Sequence, residues 1–193
     1  ALLAALIVES PSADIFIALL GYAASVLIGL GLLIFGFYPL LVKMFTKKNY
    51  GFFMKGISPA QLLAFSTSSS AATLPVTMER VEEHLGVDRE VTSFVLPIGA
   101  TINMDGTSLY QAVAAVFIAQ ALGVDLTLGD QMTIILTALM ASIGSAAVPG
   151  AGMVMLVIVL QAVGKFTPEE IAIGLTLIFA VDRPLDMLRT TVN

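Results

Sequence analysis

Apolar residues fill this chain in long runs that short polar stretches separate. The longest early run covers residues 15–42 and contains no charged residue. A helix of that length can cross a hydrocarbon core about 30 Å thick. The pattern therefore predicts a transmembrane helix over residues 15–48. Residues 1–14 are predicted to be the end of a preceding transmembrane helix and a loop.

Two later apolar stretches are interrupted in a way that argues against simple membrane spans. Residues 66–70, rich in serine, and then Pro75 divide the first stretch into arms of roughly ten residues, each about 15 Å long and too short to cross. The second stretch would form a helix of about 51 Å, but residues 144–152 break it near its middle. We therefore predict re-entrant helical hairpins over residues 56–84 and 130–165. For each, the alternative is a kink in a longer span.

A broken helix is predicted between the hairpins, over residues 90–123. Pro97 and Gly99 precede a polar group that includes Asn103 and Asp105. If the helix unwinds there, it exposes carbonyl oxygens, which together with carboxylates are the ligands that hard cations such as sodium require. Because unwound backbone at membrane depth is tolerated only inside protein or beside a wet cavity, the broken segments indicate a binding site between them.

The predicted final helix, residues 168–193, carries a line of polar side chains. Asp182, Asp186, Arg189 and Asn193 follow at spacings of four, three and four, which places them on one face. The planar fork of Arg189 can hold a carboxylate through two hydrogen bonds, and Asp186 can bind an ammonium group. The pair would suit a zwitterion with an extra carboxylate. The alternative is an internal ion pair that only holds the helix in place.

Composition supports a polytopic, all-α membrane protein. Of the 193 residues 58% are hydrophobic and 12% are charged, against roughly 25% charged residues in soluble domains. The net charge of −5 comes from a few short clusters and therefore says little about partners; a nucleic-acid ligand is not expected. The absence of cysteine excludes disulfides and thiolate metal sites. Because lysines follow the first long helix, that side is predicted to be cytoplasmic, in a multi-pass protein of the cell membrane.

Several motifs resemble one transporter family. They lie at residues 68–70, 73–77, 99–107, 141–144, 148–152 and 186–193 and occur in that order. They are similar to the glutamate transporter family, the dicarboxylate/amino acid:cation symporters, and we expect a bacterial-type homologue. The resemblance implies sodium-coupled symport of aspartate or glutamate, without an organic cofactor, by an elevator-type transport domain over residues 15–193. It also implies a homotrimer held by scaffold helices that precede this segment.

The resemblance also implies roles for particular residues. The implied substrate contacts are backbone groups of Ser68, Ser69, Ser70, Val148, Pro149, Gly150, Ala151 and Gly152 and side chains of Thr107, Asp186, Arg189, Thr190 and Asn193. The implied sodium ligands are carbonyls of Gly99, Thr101, Ser142, Ile143, Ser145 and Asn193 and side-chain oxygens of Asn103 and Asp105. The second hairpin would be the extracellular gate.

The chain departs from the family pattern around this site. Family members often carry a further arginine at the position of Ser68 or of Met187, and this chain has neither. Arg183, one turn before Met187, is a hypothetical substitute. One family sodium site also uses an aspartate one turn beyond Asn193, and the helices that complete another precede this segment. We therefore expect the sequence to be a fragment that lacks the N-terminal helices and the extreme C-terminus.

Other functions fit this sequence less well than a transporter of acidic amino acids. A proton- or sodium-coupled carrier of C4-dicarboxylates or neutral amino acids is the nearest, but Asp186 argues against the first substrate and Arg189 against the second. An ion channel would use mid-membrane carbonyls, yet a buried Arg189 would obstruct a cation path. An intramembrane hydrolase could use the serines at 66–70, but the one histidine, His84, lies in a polar loop. The sequence therefore predicts a transporter and not an enzyme.

Overall fold

The computed structural model describes residues 14–193, in which helices are present and β-strands are not. The helices are α1 (Asp14–Leu32), a π-helical turn (Leu33–Phe37), α2 (Tyr38–Phe45), α3 (Tyr50–Thr67), α4 (Ser70–Glu83), α5 (Arg89–Ile102), α6 (Asp105–Ala121), α7 (Leu128–Ile143), α8 (Ala151–Val163) and α9 (Pro168–Val192). The all-helical prediction is confirmed for these residues. The segment predicted over 1–14 lies outside them, apart from Asp14.

One continuous helical rod comprises α1, the π-helical turn and α2. From Ile15 to Phe45 it has 31 residues, and it is the one helix of the described chain that is long and apolar enough to cross a membrane. Side chains such as Leu20, Leu32 and Phe35 are exposed along it, as expected for a surface in contact with lipid. The rod ends before residue 48 because Thr46 is extended, with φ −129° and ψ 158°.

Helices α3 and α4 pack against each other and form the first helix pair. The break between them is short because Ser68 is left-handed, at φ 53°, and Ser69 is extended. The Ser69 hydroxyl accepts a hydrogen bond from Ala72 N and so caps α4. Helix α3 starts earlier than the predicted hairpin start at 56, because the Asn49 side chain accepts from Gly51 N and caps it.

Helices α7 and α8 form the second helix pair. A capping box between Thr127 and Asp130 starts α7. Residues 144–150 are unwound, and Gly150, at φ 77°, starts α8 in a conformation that glycine adopts without strain. At the other end of the pair, Lys165 Nζ donates to the Asp130 carboxylate at 2.7 Å and to the Asp125 carbonyl at 2.8 Å. The predicted interruption is therefore present, whereas the re-entrant placement of both pairs stays a prediction.

Helix α6 is the centre of the packing. It contacts α1, α7, α8 and α9, and its Tyr110, Ala114 and Ile118 are fully buried. The helix before it, α5, ends at Ile102, and Asn103 and Met104 form the predicted break. The core thus fixes the start of α6 where the breaks of both helix pairs and the end of α9 meet.

Candidate functional site

The two helix pairs touch at their unwound tips. The Ser69 hydroxyl donates to the Ala147 carbonyl at 2.9 Å, and Ala71 N donates to the same oxygen at 3.2 Å. Two breaks that are far apart in sequence are therefore brought together, as the site prediction requires.

The start of α6 is joined to the end of α9 by Asn193. Its Oδ1 accepts from Gly106 N at 2.9 Å, and its Nδ2 donates to the Thr107 hydroxyl at 2.9 Å. A Cβ atom on Gly106 would lie 2.9 Å from the Arg189 carbonyl oxygen, so this close approach requires glycine. Thr107 and Asn193, both predicted to bind substrate, therefore share one hydrogen-bonded contact.

Arg189 is held in a buried charged cluster. Its Nε donates to Asp186 Oδ1 at 2.9 Å, and its Nη1 donates to Asp182 Oδ1 at 3.2 Å. The guanidinium carbon lies 3.9 Å from the centre of the Tyr110 ring, a cation–π contact. Nη2 is 2.9 Å from Asp186 Oδ1 but makes no hydrogen bond of good geometry with the described residues. The internal ion pair considered from the sequence is thus present, and one nitrogen keeps donor capacity.

Asp186 connects this cluster to the second tip. Its Oδ2 accepts from Gly150 N at 3.0 Å, and Arg183 Nη1 lies 3.7 Å from the same oxygen. Gln111, fully buried, donates from Nε2 to the Gly152 carbonyl at 3.0 Å. The second tip is therefore attached to α6, α9 and the first tip.

A small cavity lies between the tips and the charged cluster. Its volume is about 20 Å³, which is room for about one water molecule. An amino acid therefore enters only if the tips separate. The predicted substrate residues that line it are Ser68, Ser70, Thr107, Val148, Ala151, Gly152, Asp186, Arg189, Thr190 and Asn193. Of the others, Ser69 joins the tips, Gly150 contacts Asp186, and Pro149 is exposed beside Val148.

The predicted sodium ligands fall into separate places. Gly99, Asn103 and Asn193 line a larger, mostly apolar cavity of about 460 Å³, whereas Ser145 lines the small one with Asn193. The Asp105 carboxylate accepts from the Tyr38 hydroxyl at 3.0 Å. Ser142 is buried, and Thr101 and Ile143 are exposed. Residues 14–193 contain no cluster of three or more histidine or acidic side chains that could hold a metal ion.

Three residues near the site were not among the sequence candidates: Tyr38, Tyr110 and Gln111. Tyr110 and Gln111 follow the Asn103–Thr107 motif on the same helix, and their polar groups in an apolar segment were an available signal. Tyr38 is a tyrosine within a long apolar run, so the sequence offered little reason to select it.

Comparison with known proteins finds several similar transporters. The chain is 52% identical over 172 residues to an excitatory amino acid transporter of Caenorhabditis elegans, a match that covers 89% of the chain and 33% of the relative. It is 52% identical over 192 residues to mouse excitatory amino acid transporter 3, covering 100% of the chain and 36% of that protein. Human excitatory amino acid transporter 2 is 51% identical over 174 residues, covering 89% and 29%.

The chain thus spans about a third of the length of these relatives. All three are animal proteins, so they give no support to the expected bacterial type. Their names are those of transporters, in agreement with the prediction that the chain is not an enzyme. The sodium:dicarboxylate symporter family model matches residues 1–193. The chain therefore belongs to the sodium:dicarboxylate symporter family.

Proposed function

We propose that the complete protein containing this chain is a sodium-coupled symporter of acidic amino acids in the cell membrane. The observation that carries the proposal is the position of Arg189, which is 1% exposed and lies in the wall of the cavity between the two tips. A buried guanidinium in a membrane protein is costly unless it is paired, and here Asp182 and Asp186 pair it. The relatives' names and the family name support both the substrate class and sodium coupling.

Substrate binding can be described as an exchange of partners in this cluster. When the tips separate, the side-chain carboxylate of aspartate or glutamate reaches the fork of Arg189 and uses the donor capacity of Nη2. The substrate ammonium group takes Asp186 Oδ2, the atom that now accepts from Gly150 N. Serine and backbone groups of the two tips then surround the α-carboxylate. A substrate that lacks the second carboxylate leaves Arg189 as it is and gains less from binding.

Sodium would bind at the unwound backbone around the same cavity. The ligands we propose are the carbonyls of Gly99, Thr101, Ser142, Ile143, Ser145 and Asn193 and the side chains of Asn103 and Asp105. Two of these carbonyls, those of Gly99 and Ser142, already accept backbone hydrogen bonds from Asn103 N and Ser145 N. Since a carbonyl oxygen has two lone pairs, a cation can use the second.

Transport would follow from movement of the whole segment. We propose that residues 56–84 and 130–165 are re-entrant hairpins, that the second is the extracellular gate, and that the domain moves across the membrane like an elevator. Two features support a gate that opens at its tip. The contact between the two tips is small, whereas the base of the second helix pair is held by Lys165. Scaffold helices outside this chain would hold three copies together.

The test is uptake of labelled L-aspartate into proteoliposomes that contain the complete gene product, with and without an inward sodium gradient. Sodium-driven accumulation that stops when potassium replaces sodium supports the proposal. Arg189→Lys keeps the charge but removes the fork and should abolish most uptake. Arg80→Lys is the matched control, because Arg80 contacts the Gly56 carbonyl away from the cavity. Uptake of succinate instead, or uptake driven by a proton gradient, would refute the assigned substrate or ion.

A further inference from the structure

The Tyr38 hydroxyl donates a hydrogen bond of 3.0 Å to Asp105 Oδ2, across 67 positions of sequence. Tyr38 is half-buried at the start of α2, and Asp105 is half-buried at the start of α6. The contact therefore connects the membrane-length rod to the break between α5 and α6.

The local backbone explains how the hydroxyl reaches this position. The π-helical turn Leu33–Phe37 directly precedes Tyr38. Because a π turn holds about one residue more than an α turn, it shifts the helical register of the residues that follow. Such turns are rare and often lie at functional sites. The Tyr50 hydroxyl donates to the Ile34 carbonyl within the turn, so α3 supports the distortion from the other side.

The same hydroxyl-bearing side chain faces the larger cavity. Tyr38 lines it together with Gly99, Asn103 and Asn193, three of the proposed sodium ligands. Otherwise the wall is mostly apolar, formed by side chains such as Leu41 and Phe53. In such surroundings a carboxylate without a fixed partner is unfavourable, and one hydrogen bond defines which way its second oxygen points.

We propose that Tyr38 is a positioning residue for sodium, because it orients the Asp105 carboxylate from the wall of the cavity that Gly99, Asn103 and Asn193 also line. The proposal rests on the sodium coupling proposed above. Hydrogen-bond partners of metal-binding carboxylates typically contribute 10- to 100-fold to metal affinity, since they fix the ligand before the ion arrives. A role in packing alone would involve only the ring of Tyr38.

The test measures sodium binding without transport and without amino acid. The complete protein is purified in detergent, and its thermal midpoint is followed as sodium chloride replaces choline chloride at constant ionic strength. A ligand that binds the folded state raises the midpoint with a saturable dependence on its concentration. Tyr38→Phe removes only the hydroxyl. We expect its half-saturating sodium concentration to rise about tenfold. Thr77→Val is the matched control, since it removes a hydroxyl that lines the same cavity but donates to the Thr73 carbonyl within its own helix.

A double-mutant cycle separates positioning from packing. In an Asp105→Asn background, Tyr38→Phe should cause little further change, because the two side chains act as one unit. An unchanged half-saturation in Tyr38→Phe, an equal shift in Thr77→Val, or an equal further shift in the Asp105→Asn background would each overturn the proposal. If the wild-type protein shows no sodium-specific stabilisation, both this proposal and sodium coupling fail. In a further outcome, sodium stabilises the wild type and Tyr38→Phe shifts the half-saturating sodium concentration, while added aspartate leaves the thermal midpoint unchanged. In that case the role of Tyr38 stands and the substrate assignment fails.

Discussion

The hydroxyl of Ser69 donates a hydrogen bond of 2.9 Å to the carbonyl oxygen of Ala147, and this bond joins the tips of the two helix pairs. Ala71 N donates to the same oxygen at 3.2 Å. Neutral hydrogen bonds contribute about 0.5–1.5 kcal/mol each to stability in water. The contact is thus strong enough to favour closed tips and weak enough for a bound substrate to shift the balance.

Removing the Ser69 hydroxyl should make the tips separate more often. Because the chain contains no cysteine, Ser145→Cys can serve as a reporter: this residue is buried and lines the cavity between the tips. In a protein otherwise free of cysteine, Ser69→Ala should raise the rate at which a small thiol reagent labels position 145 roughly 2- to 10-fold. Sodium with aspartate should lower the rate in both proteins.

The control for this variant is Ser66→Ala. The Ser66 hydroxyl donates to the Leu63 carbonyl within α3 and does not contact the second tip. Ser69 also caps α4, so the thermal midpoint of Ser69→Ala should fall as well, by the equivalent of about 1 kcal/mol. Equal labelling rates in the two serine variants would show that the Ser69 bond does not hold the tips together.

A methyl group at Gly152 should disturb the charged cluster. Its Cβ would lie 3.0 Å from Thr107 Cγ2 and 3.2 Å from Arg189 Cζ, closer than ordinary van der Waals contact. Because Gln111 also anchors the Gly152 carbonyl, the helix cannot simply move away. We expect Gly152→Ala to weaken L-aspartate binding at least about tenfold in calorimetric titrations at saturating sodium. Gly21→Ala is the control, since its Cβ would meet no atom within 4 Å; equal affinities in the two variants would contradict the prediction.

Asp182 should contribute mainly to stability. Its carboxylate is 3.2 Å from Arg189 Nη1, and both side chains are nearly inaccessible. Removal of one partner from a buried pair costs about 3–5 kcal/mol, because the other charge stays buried. We therefore expect Asp182→Asn to lower the free energy of unfolding in detergent by roughly 3 kcal/mol. Asp88→Asn, at an exposed helix start without a side-chain cap bond, should change it little. A loss below about 1 kcal/mol for Asp182→Asn would mean that Asp186 alone compensates Arg189.

This cluster was accessible from the sequence because it depends on one helix. Residues spaced by three and four positions share a face in any α-helix, so Asp182, Asp186 and Arg189 could be placed together without a structure. The breaks were accessible for a similar local reason, since serine, asparagine and glycine in apolar stretches favour unwound backbone. Here local chemistry and the fold agree, and the prediction needed no tertiary information.

Contacts between distant segments were not accessible in this way. Tyr38 approaches Asp105 where a π-helical turn directly precedes it and where α6 packs against the rod. Neither fact follows from periodicity. The early start of α3 depends on a local contact, because the Asn49 side chain caps the helix. The sequence therefore predicted which residues share a helix face better than it predicted which residues meet between helices.

Arg183 is the residue whose role most needs a direct test. Its Nη1 lies 3.7 Å from Asp186 Oδ2, while its side chain is 58% exposed. Because the Arg183 guanidinium is largely in solvent, its pairing with the buried Asp186 contributes little to stability, so Arg183→Ala should change the free energy of unfolding by less than about 1 kcal/mol. If Arg183 replaces the arginine that many family members carry at the positions of Ser68 or Met187, the same variant should weaken aspartate binding a few-fold. The loss should shrink when choline chloride raises the ionic strength, since salt screens exposed charges.

Arg183→Lys is the control: it keeps the charge and should bind aspartate nearly as well as the wild type. Unchanged aspartate affinity in Arg183→Ala would rule out this role and leave Arg189 as the arginine that we propose to select acidic substrates.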